Sequence, residues 1–379
     1  MVSSRLDSIS ASPTISLSNR AAELQRKGMK VYNFGVGEPD FTTPENVIDY
    51  AFEWAKKGKT HYTPSRGIME LREKIVEEAK AANNIDVTSK NVLVSSAKFA
   101  INMGLMCILE AGEEVLLPEP YYSSYPDIVK LAGGKPIPVQ TDEEYDFDFD
   151  AMSKLVGPNT RAIIISNPTN PTGKVYSEKT LRKLTDFLLE NDLHLISDEI
   201  YSELIYEGKM FSPASIDEAS DRVITIGGFS KSHAMTGWRI GYMLASSDII
   251  DASDKIQQQT VTCAPSISQY AALEALRDKE SPKRMKEEFR RRRDMVSKLL
   301  SETGKLKFRM PEGTFYFFPS YESDIPSKTF SENLLNEKQV ITTPGIAFGG
   351  QGERHFRASF AASDEVINEG LSRLNDFIS

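Results

Sequence analysis

Cysteine is scarce in this chain. Its 379 residues include only Cys107 and Cys263. They have no C-x-x-C spacing, which argues against a disulfide framework or a zinc site; no metal is expected, and a reducing compartment is. Positive charge is also short: 45 basic side chains face 54 acidic ones, a net charge of −9. No global field therefore exists to draw in nucleic acid. The run Arg290 to Arg293, flanked by Glu287, Glu288 and Asp294, reads as a salt-bridged, solvated helix face rather than a recognition patch. Long apolar runs are missing too. Met1 to Pro13 is serine-rich without an apolar core and no later window reaches membrane length, so the expectation is a cytoplasmic protein with neither signal peptide nor membrane span. No repeat or low-complexity linker stands out. What remains is ordinary globular composition, 40% hydrophobic and 26% charged, in a chain long enough for more than one domain.

The middle of the chain alternates short apolar runs with helical segments. Val92–Val94, Glu114–Leu117, Arg161–Ser166, Leu193–Ser197, Val223–Ile226 and Ile240–Leu244 read as strands. Ala97 to Glu110, closed by Gly112, and the amphipathic Glu178 to Glu190 read as helices. Continuous apolar strands between helices predict a largely parallel α/β sheet covered on both faces, with ligands at the carboxyl ends of the strands. After Ser281 the pattern changes. A long charged helix over about 282–302, short strands near Phe315–Phe317 and Phe356–Ala358, and a closing helix over Asp364 to Ile378 predict a smaller α+β domain. The N-terminal residues are expected to pack on it. The expected boundaries are 1–44 for the arm, 45–281 for the large domain and 282–379 for the C-terminal part.

The most informative stretch is Ser230-Lys231-Ser232-His233-Ala234-Met235-Thr236-Gly237-Trp238-Arg239. Lys231 follows a buried strand, where an amine is costly unless it is used or paired. Arg239, a permanent cation among glycines, comes eight residues later. An amine nucleophile near an anion-binding guanidinium suits a cofactor with both an aldehyde and a phosphate, which is pyridoxal phosphate held by a lysine Schiff base. The plain alternative is a snorkelling lysine in a strand–loop–strand.

This stretch resembles the catalytic lysine motif of class I, fold-type I pyridoxal-phosphate aminotransferases, and further motifs follow in family order. The resemblance implies a mainly parallel seven-stranded sheet sandwiched by helices, with a smaller α+β domain formed by both termini. It implies the following residue roles. Lys231 carries the cofactor and moves the substrate's α-proton. Asp198, in Asp198-Glu199-Ile200-Tyr201, keeps the pyridine nitrogen protonated, and Tyr201 donates to the phenolic oxygen. A helix cap with a core tyrosine is the alternative for that pair. Asn170, in Asn167-Pro168-Thr169-Asn170-Pro171-Thr172-Gly173, bonds the same oxygen and faces the substrate. Ser96, Ala97 and Lys98 begin a helix whose positive end suits a phosphate, with Arg239 completing the clamp; a plain helix cap is the alternative. The family often has glycine where Ser96 and Ala97 stand, so the Ser96 hydroxyl can supplement the amides. Tyr122 matches the aromatic stacked on the ring, a position at which many relatives carry tryptophan or phenylalanine. Tyr62 matches the tyrosine that reaches the neighbouring subunit's phosphate, which implies a homodimer with shared sites.

For the substrate, Arg357 matches the arginine that binds the α-carboxylate, and its planar fork suits that group. Gly37 lets backbone approach the same carboxylate. The style of the sequence is closest to the bacterial and archaeal aspartate aminotransferases. There a lysine matching Lys98, with Ser/Thr near Thr14, contacts the distal carboxylate, while a phosphate-proximal or solvated lysine is the other reading. The implied reaction is ping-pong transfer from L-aspartate to 2-oxoglutarate. Aromatic or broad-specificity transamination, a C–S lyase on the same fold, and a ligand-sensing regulator are the alternatives. A lyase would need no keto-acid acceptor.

Overall fold

The computed structural model describes residues 6–11 and 13–379, with only the backbone of 13–18. Its centre is a seven-stranded sheet. In chain order the strands are β1 (Val92–Ser95), β2 (Glu114–Pro118), β3 (Lys135–Val139), β4 (Thr160–Ser166), β5 (His194–Asp198), β6 (Val223–Gly228) and β7 (Gly241–Leu244). Across the sheet they run β1-β7-β6-β5-β4-β2-β3. All neighbours are parallel except at β7, which is antiparallel to both β1 and β6. The reversal follows from the loop after β6, which turns back at the same end of the sheet and re-enters as β7.

Side chains alternate across this sheet, so each strand feeds two cores. Ile164, Ile196 and Ile224 pack on one face with Ala100, Ile101 and Leu105 of the helix Ala97–Ile108. Ile163, Ile165 and Leu195 pack on the other with Leu181, Leu184 and Leu188 of the helix Glu178–Glu190. That second helix starts where Ser177 accepts a bond from the Thr180 N–H at 3.0 Å, the cap its sequence suggests. The first ends at Ile108, two residues before the expected Glu110.

Strand β3 was not among those read from the sequence. Its residues, Lys135-Pro136-Ile137-Pro138-Val139, carry two prolines, which usually speak against a strand. The register resolves this. The Lys135 N–H donates to the Glu113 carbonyl at 2.8 Å, and the Val139 carbonyl accepts from the Glu119 N–H at 2.7 Å. Odd positions thus face β2, and the prolines fall on the outer, unpaired side of an edge strand, where no donor is needed.

The C-terminal part of the chain, with Tyr32 and Phe34, forms a further, aromatic core. A long helix, Glu280–Ser301, and the closing helix Asp364–Ile378 flank short strands. Tyr316–Phe317 and Thr343–Pro344 both pair with Phe356–Ser359. The N-terminal Tyr32–Asn33 pairs in parallel with Val340–Ile341. Phe289, Phe315, Phe317 and Phe360 fill the space between, with ring centroids 5.2–6.3 Å apart for the Phe289–Phe315, Phe317–Phe360 and Phe289–Phe360 pairs.

The arginine run on the long helix differs from expectation. It is salt-bridged, but Arg292 and Arg293 are buried, not solvated. Arg292 Nη1 reaches Asp40 Oδ1 at 2.7 Å, and Arg293 Nη1 reaches Glu207 Oε1 at 3.0 Å and the Pro311 carbonyl at 3.1 Å. Sequence spacing shows local i, i+4 partners, and these contacts come from distant segments. Among the described residues no helix is long and apolar enough to cross a membrane.

Candidate active site

Five chain segments meet at one end of the sheet. Ser96 follows β1, Tyr122 follows β2, Asn170 follows β4, Asp198 ends β5, Lys231 follows β6, and Arg239 precedes the antiparallel β7. Because β7 runs backwards, its start lies beside the ends of the others. A cleft of about 400 Å³ opens there, lined by Gly37, Ser96, Ala97, Lys98, Tyr122, Asn170, Asp198, Tyr201, Lys231, Arg239 and Arg357. Of the other expected residues, Tyr62 stands apart, 86% exposed on the surface, and the side chain of Thr14 falls outside the described residues.

Lys231 is half-buried, and its Nζ donates to the Gly37 carbonyl at 2.7 Å. Burial pushes the amine down to about 8; Glu38 opposes this, and the Arg357 and Arg239 cations add to it. Such an amine reaches its neutral, nucleophilic form far more easily than a surface lysine. Asp198 is buried at the end of β5. Its carboxylate accepts from the Tyr125 hydroxyl at 2.9 Å and the Ile200 N–H at 3.3 Å. Burial pushes it up to about 6 despite those bonds, so its charge calls for a cationic partner.

Arg357 is 1% exposed. Its Nη1 donates to Asn170 Oδ1 at 2.9 Å and its Nη2 to the Gly35 carbonyl at 2.8 Å. The guanidinium lies over the Tyr316 ring at 4.3 Å and the Phe348 ring at 5.1 Å. Its buried Nε has no partner, so a donor remains unspent beside the cleft. With its oxygen committed to Arg357, the Asn170 amide keeps its NH2 as a donor.

At the phosphate end, Ser96 is the N-cap of the helix Ala97–Ile108, yet its side chain makes no capping bond. The first-turn amides of that helix and the Ser96 hydroxyl are therefore left to an outside acceptor. Backbone approach here is close: a Cβ on Gly241 would lie 3.3 Å from the Ala97 nitrogen and 2.7 Å from the Gly227 carbonyl. Arg239 has left-handed backbone, φ 54°, and its Nη1 donates to the Thr236 carbonyl at 2.8 Å. Lys98 sits exposed at the mouth, its Nζ 3.1 Å from Ser124 Oγ and 5.5 Å from the Tyr122 ring centre.

Several lining residues were not singled out by sequence. Glu38 accepts from the Thr236 hydroxyl at 2.8 Å, and Tyr316 bonds Tyr201 at 2.7 Å between hydroxyls. Tyr125, three residues beyond Tyr122, sits at the start of its own short helix, and that i, i+3 spacing was the one available signal for its role beside Asp198. For Tyr316 the sequence showed only a strand.

The family model for aminotransferase class I and II matches residues 29–374. This chain belongs to the class I and II aminotransferases. Among its relatives, the aspartate aminotransferase of Pyrococcus abyssi is 44% identical over 383 residues, spanning 98% of this chain and 97% of that one. Aromatic-amino-acid aminotransferase 2 of Thermococcus litoralis is 43% identical over 353 residues, 91% and 90% of the two chains. The structure of the aspartate aminotransferase from Thermus thermophilus with maleate superposes with a TM-score of 0.95 at 35% identity, covering 100% of this chain and 99% of that chain. The aminotransferase depends on pyridoxal phosphate, and its cleft fits that group. The uncapped helix start suits the phosphate, the buried Asp198 suits a protonated ring nitrogen, and the depressed Lys231 amine suits an aldehyde.

Proposed function

We propose that this aminotransferase exchanges amino groups between L-aspartate and 2-oxoglutarate by a ping-pong mechanism, releasing oxaloacetate and then glutamate. The observation that carries the reading is the pairing of two cations along one cleft. Arg357 is buried at the inner end with an unpartnered Nε, and Lys98 stands at the mouth on a neutral serine hydroxyl. Two cations suit a substrate with two carboxylates. The named relatives include aspartate aminotransferases, one of them with maleate, a dicarboxylate.

When bound, pyridoxal phosphate supplies an aldehyde for the amino group and a ring that withdraws electrons from the Cα–H bond. The chain's residues do the rest. Ser96, the amides from Ala97 onward and Arg239 would hold the phosphate. Asp198 would keep a proton on the ring nitrogen, with Tyr125 fixing its carboxylate. Tyr122 would cover the ring face, and Tyr201 and Asn170 would donate to the phenolic oxygen. Arg357 would bind the α-carboxylate through its planar fork, with the Gly37 backbone alongside. Lys231 Nζ would carry the cofactor and then, once freed, move the substrate's α-proton. Its depressed basicity favours this, since a general base works best with a pKa near the operating pH.

The reading takes residues 45–281 as the cofactor-binding unit, and 1–44 with 282–379 as the smaller one. It also includes a homodimer, in which Tyr62 extends to the neighbouring subunit's phosphate.

The test is an absorbance scan of the holoenzyme as aspartate is added without any keto acid. Conversion of the cofactor band to its amino form by aspartate supports the reading, as does its reversal by 2-oxoglutarate. A band that ignores aspartate but responds to phenylalanine favours a second reading, an aromatic aminotransferase. That reading draws on Tyr122, Ile101 and Tyr316 in the lining and on the Thermococcus litoralis relative.

A further inference from the structure

Tyr316 lines the cleft beside Arg357. It lies on the strand beside Arg357, paired with Ser359 in register, and is 1% exposed. Its hydroxyl is 2.7 Å from the Tyr201 hydroxyl. Its ring lies 4.3 Å from the Arg357 guanidinium. Its oxygen also comes within 2.6 Å of where a Cβ on Gly37 would be, and the Gly37 carbonyl is the one that accepts Lys231 Nζ at 2.7 Å. One side chain thus touches the supports of the amine, the carboxylate fork and the tyrosine beside them.

We propose that Tyr316 is a positioning residue that acts through two neighbours: its hydroxyl donates to Tyr201, and its ring backs the buried Arg357. This rests on the roles proposed above for Tyr201 and Arg357. A phenol has a single proton. If Tyr201 spends its proton on the cofactor's phenolic oxygen, its own oxygen is left as an acceptor, and Tyr316 must be the donor between the two. Donation onto Tyr201 polarises its O–H and strengthens it in turn. The ring acts separately. Arg357 is held by neutral groups, Asn170, the Gly35 carbonyl and Thr343, so an aromatic face contributes attraction that no anion supplies before substrate arrives.

The two roles separate by substitution. Tyr316→Phe keeps the ring and removes the hydroxyl; Tyr316→Leu removes both. The first readout is the pH midpoint of the holoenzyme's visible band. A donor to the phenolic oxygen favours its deprotonated form, so weakening that donor raises the midpoint. Tyr201→Phe should raise it most and Tyr316→Phe should raise it less. In the Tyr201→Phe background Tyr316→Phe should add nothing, because its route is gone. The second readout is the KM for the amino donor. It should stay within about twofold in Tyr316→Phe and rise about five- to tenfold in Tyr316→Leu, the loss of a desolvated cation–π contact. A midpoint unmoved by Tyr316→Phe, or a shift that persists without the Tyr201 hydroxyl, overturns the proposal while leaving the role of Tyr201 intact. A midpoint unmoved by Tyr201→Phe overturns both. Tyr316→Phe differs by one atom in a packed core, so the hydroxyl arm stands even if Tyr316→Leu does not fold.

Discussion

Asp198 is a carboxylate placed where its charge is unwelcome until a cation arrives. Burial holds it near 6 against an ordinary 3.8, so the folded, cofactor-free protein binds this proton more tightly than the unfolded chain does. The stability it contributes is fully present below about pH 4 and lost as pH rises through about 6. Asp198→Asn removes the penalty while keeping an oxygen for the Tyr125 hydroxyl. The cofactor-free variant should therefore be more stable than its parent by about 2–3 kcal/mol at pH 8, with a smaller gap at pH 5. Urea unfolding at the two pH values measures this, and an equal gap at both would sink the argument. The same substitution should weaken cofactor binding, since a neutral amide cannot neutralise a pyridinium. Lys231 is the mirror case, an amine kept from easy protonation by burial and by two arginines.

At the scale of elements, β3 shows how a strand can be hidden by its own residues. Pro136 and Pro138 fall on the outer side of the edge, while Ile137 shares the inner side with Lys135 and Val139. Ile137→Pro should therefore remove a ladder bond and cost about 3 kcal/mol, whereas Pro138→Ala should change stability by less than about 1 kcal/mol. Chemical denaturation of the two variants decides it, and similar losses in both would mean the register is wrong. The prolines also blunt the edge against pairing with another chain. β7 is a second element whose identity was legible and whose direction was not. The apolar run from Ile240 gave a strand, but only the return of the loop through Arg239 makes it antiparallel and sets Ser95 opposite Gly241.

On the scale of the molecule, the long helix is tied to distant parts of the chain. Arg292 reaches Asp40 near the N-terminus, and Arg293 reaches Glu207 and Pro311. These bonds, with the pairing of Tyr32–Asn33 to Val340–Ile341, fasten both ends of the chain beside the cleft, where Gly37 and Arg357 face one another. The proposed homodimer belongs to this scale. Sedimentation equilibrium should give about twice the chain mass of 42.3 kDa. Tyr62→Ala should lower cofactor affinity with that mass unchanged. A monomer with full cofactor affinity would remove Tyr62 from the site.

The sequence alone named the side chains proposed to carry the chemistry. Lys231, Asp198, Asn170, Arg239 and Arg357 each stand in a short motif, and the apolar runs before Asn170, Asp198 and Lys231 place these three at strand ends, so their meeting at one end of a parallel sheet follows from the alternation of strand and helix. It also determined the helix Asp364–Ile378 to the residue, because a serine cap and a regular apolar stripe are local signals. Tertiary structure decided what spacing cannot encode. Tyr125 meets Asp198 across 73 positions and Tyr201 meets Tyr316 across 115, contacts that exist only once the chain has folded. The burial of Arg292 and Arg293 came from segments far away in the chain, and the tolerance of two prolines in β3 came from its place at the edge. A local pattern records what a residue can do, and long-range packing settles which partner it finds.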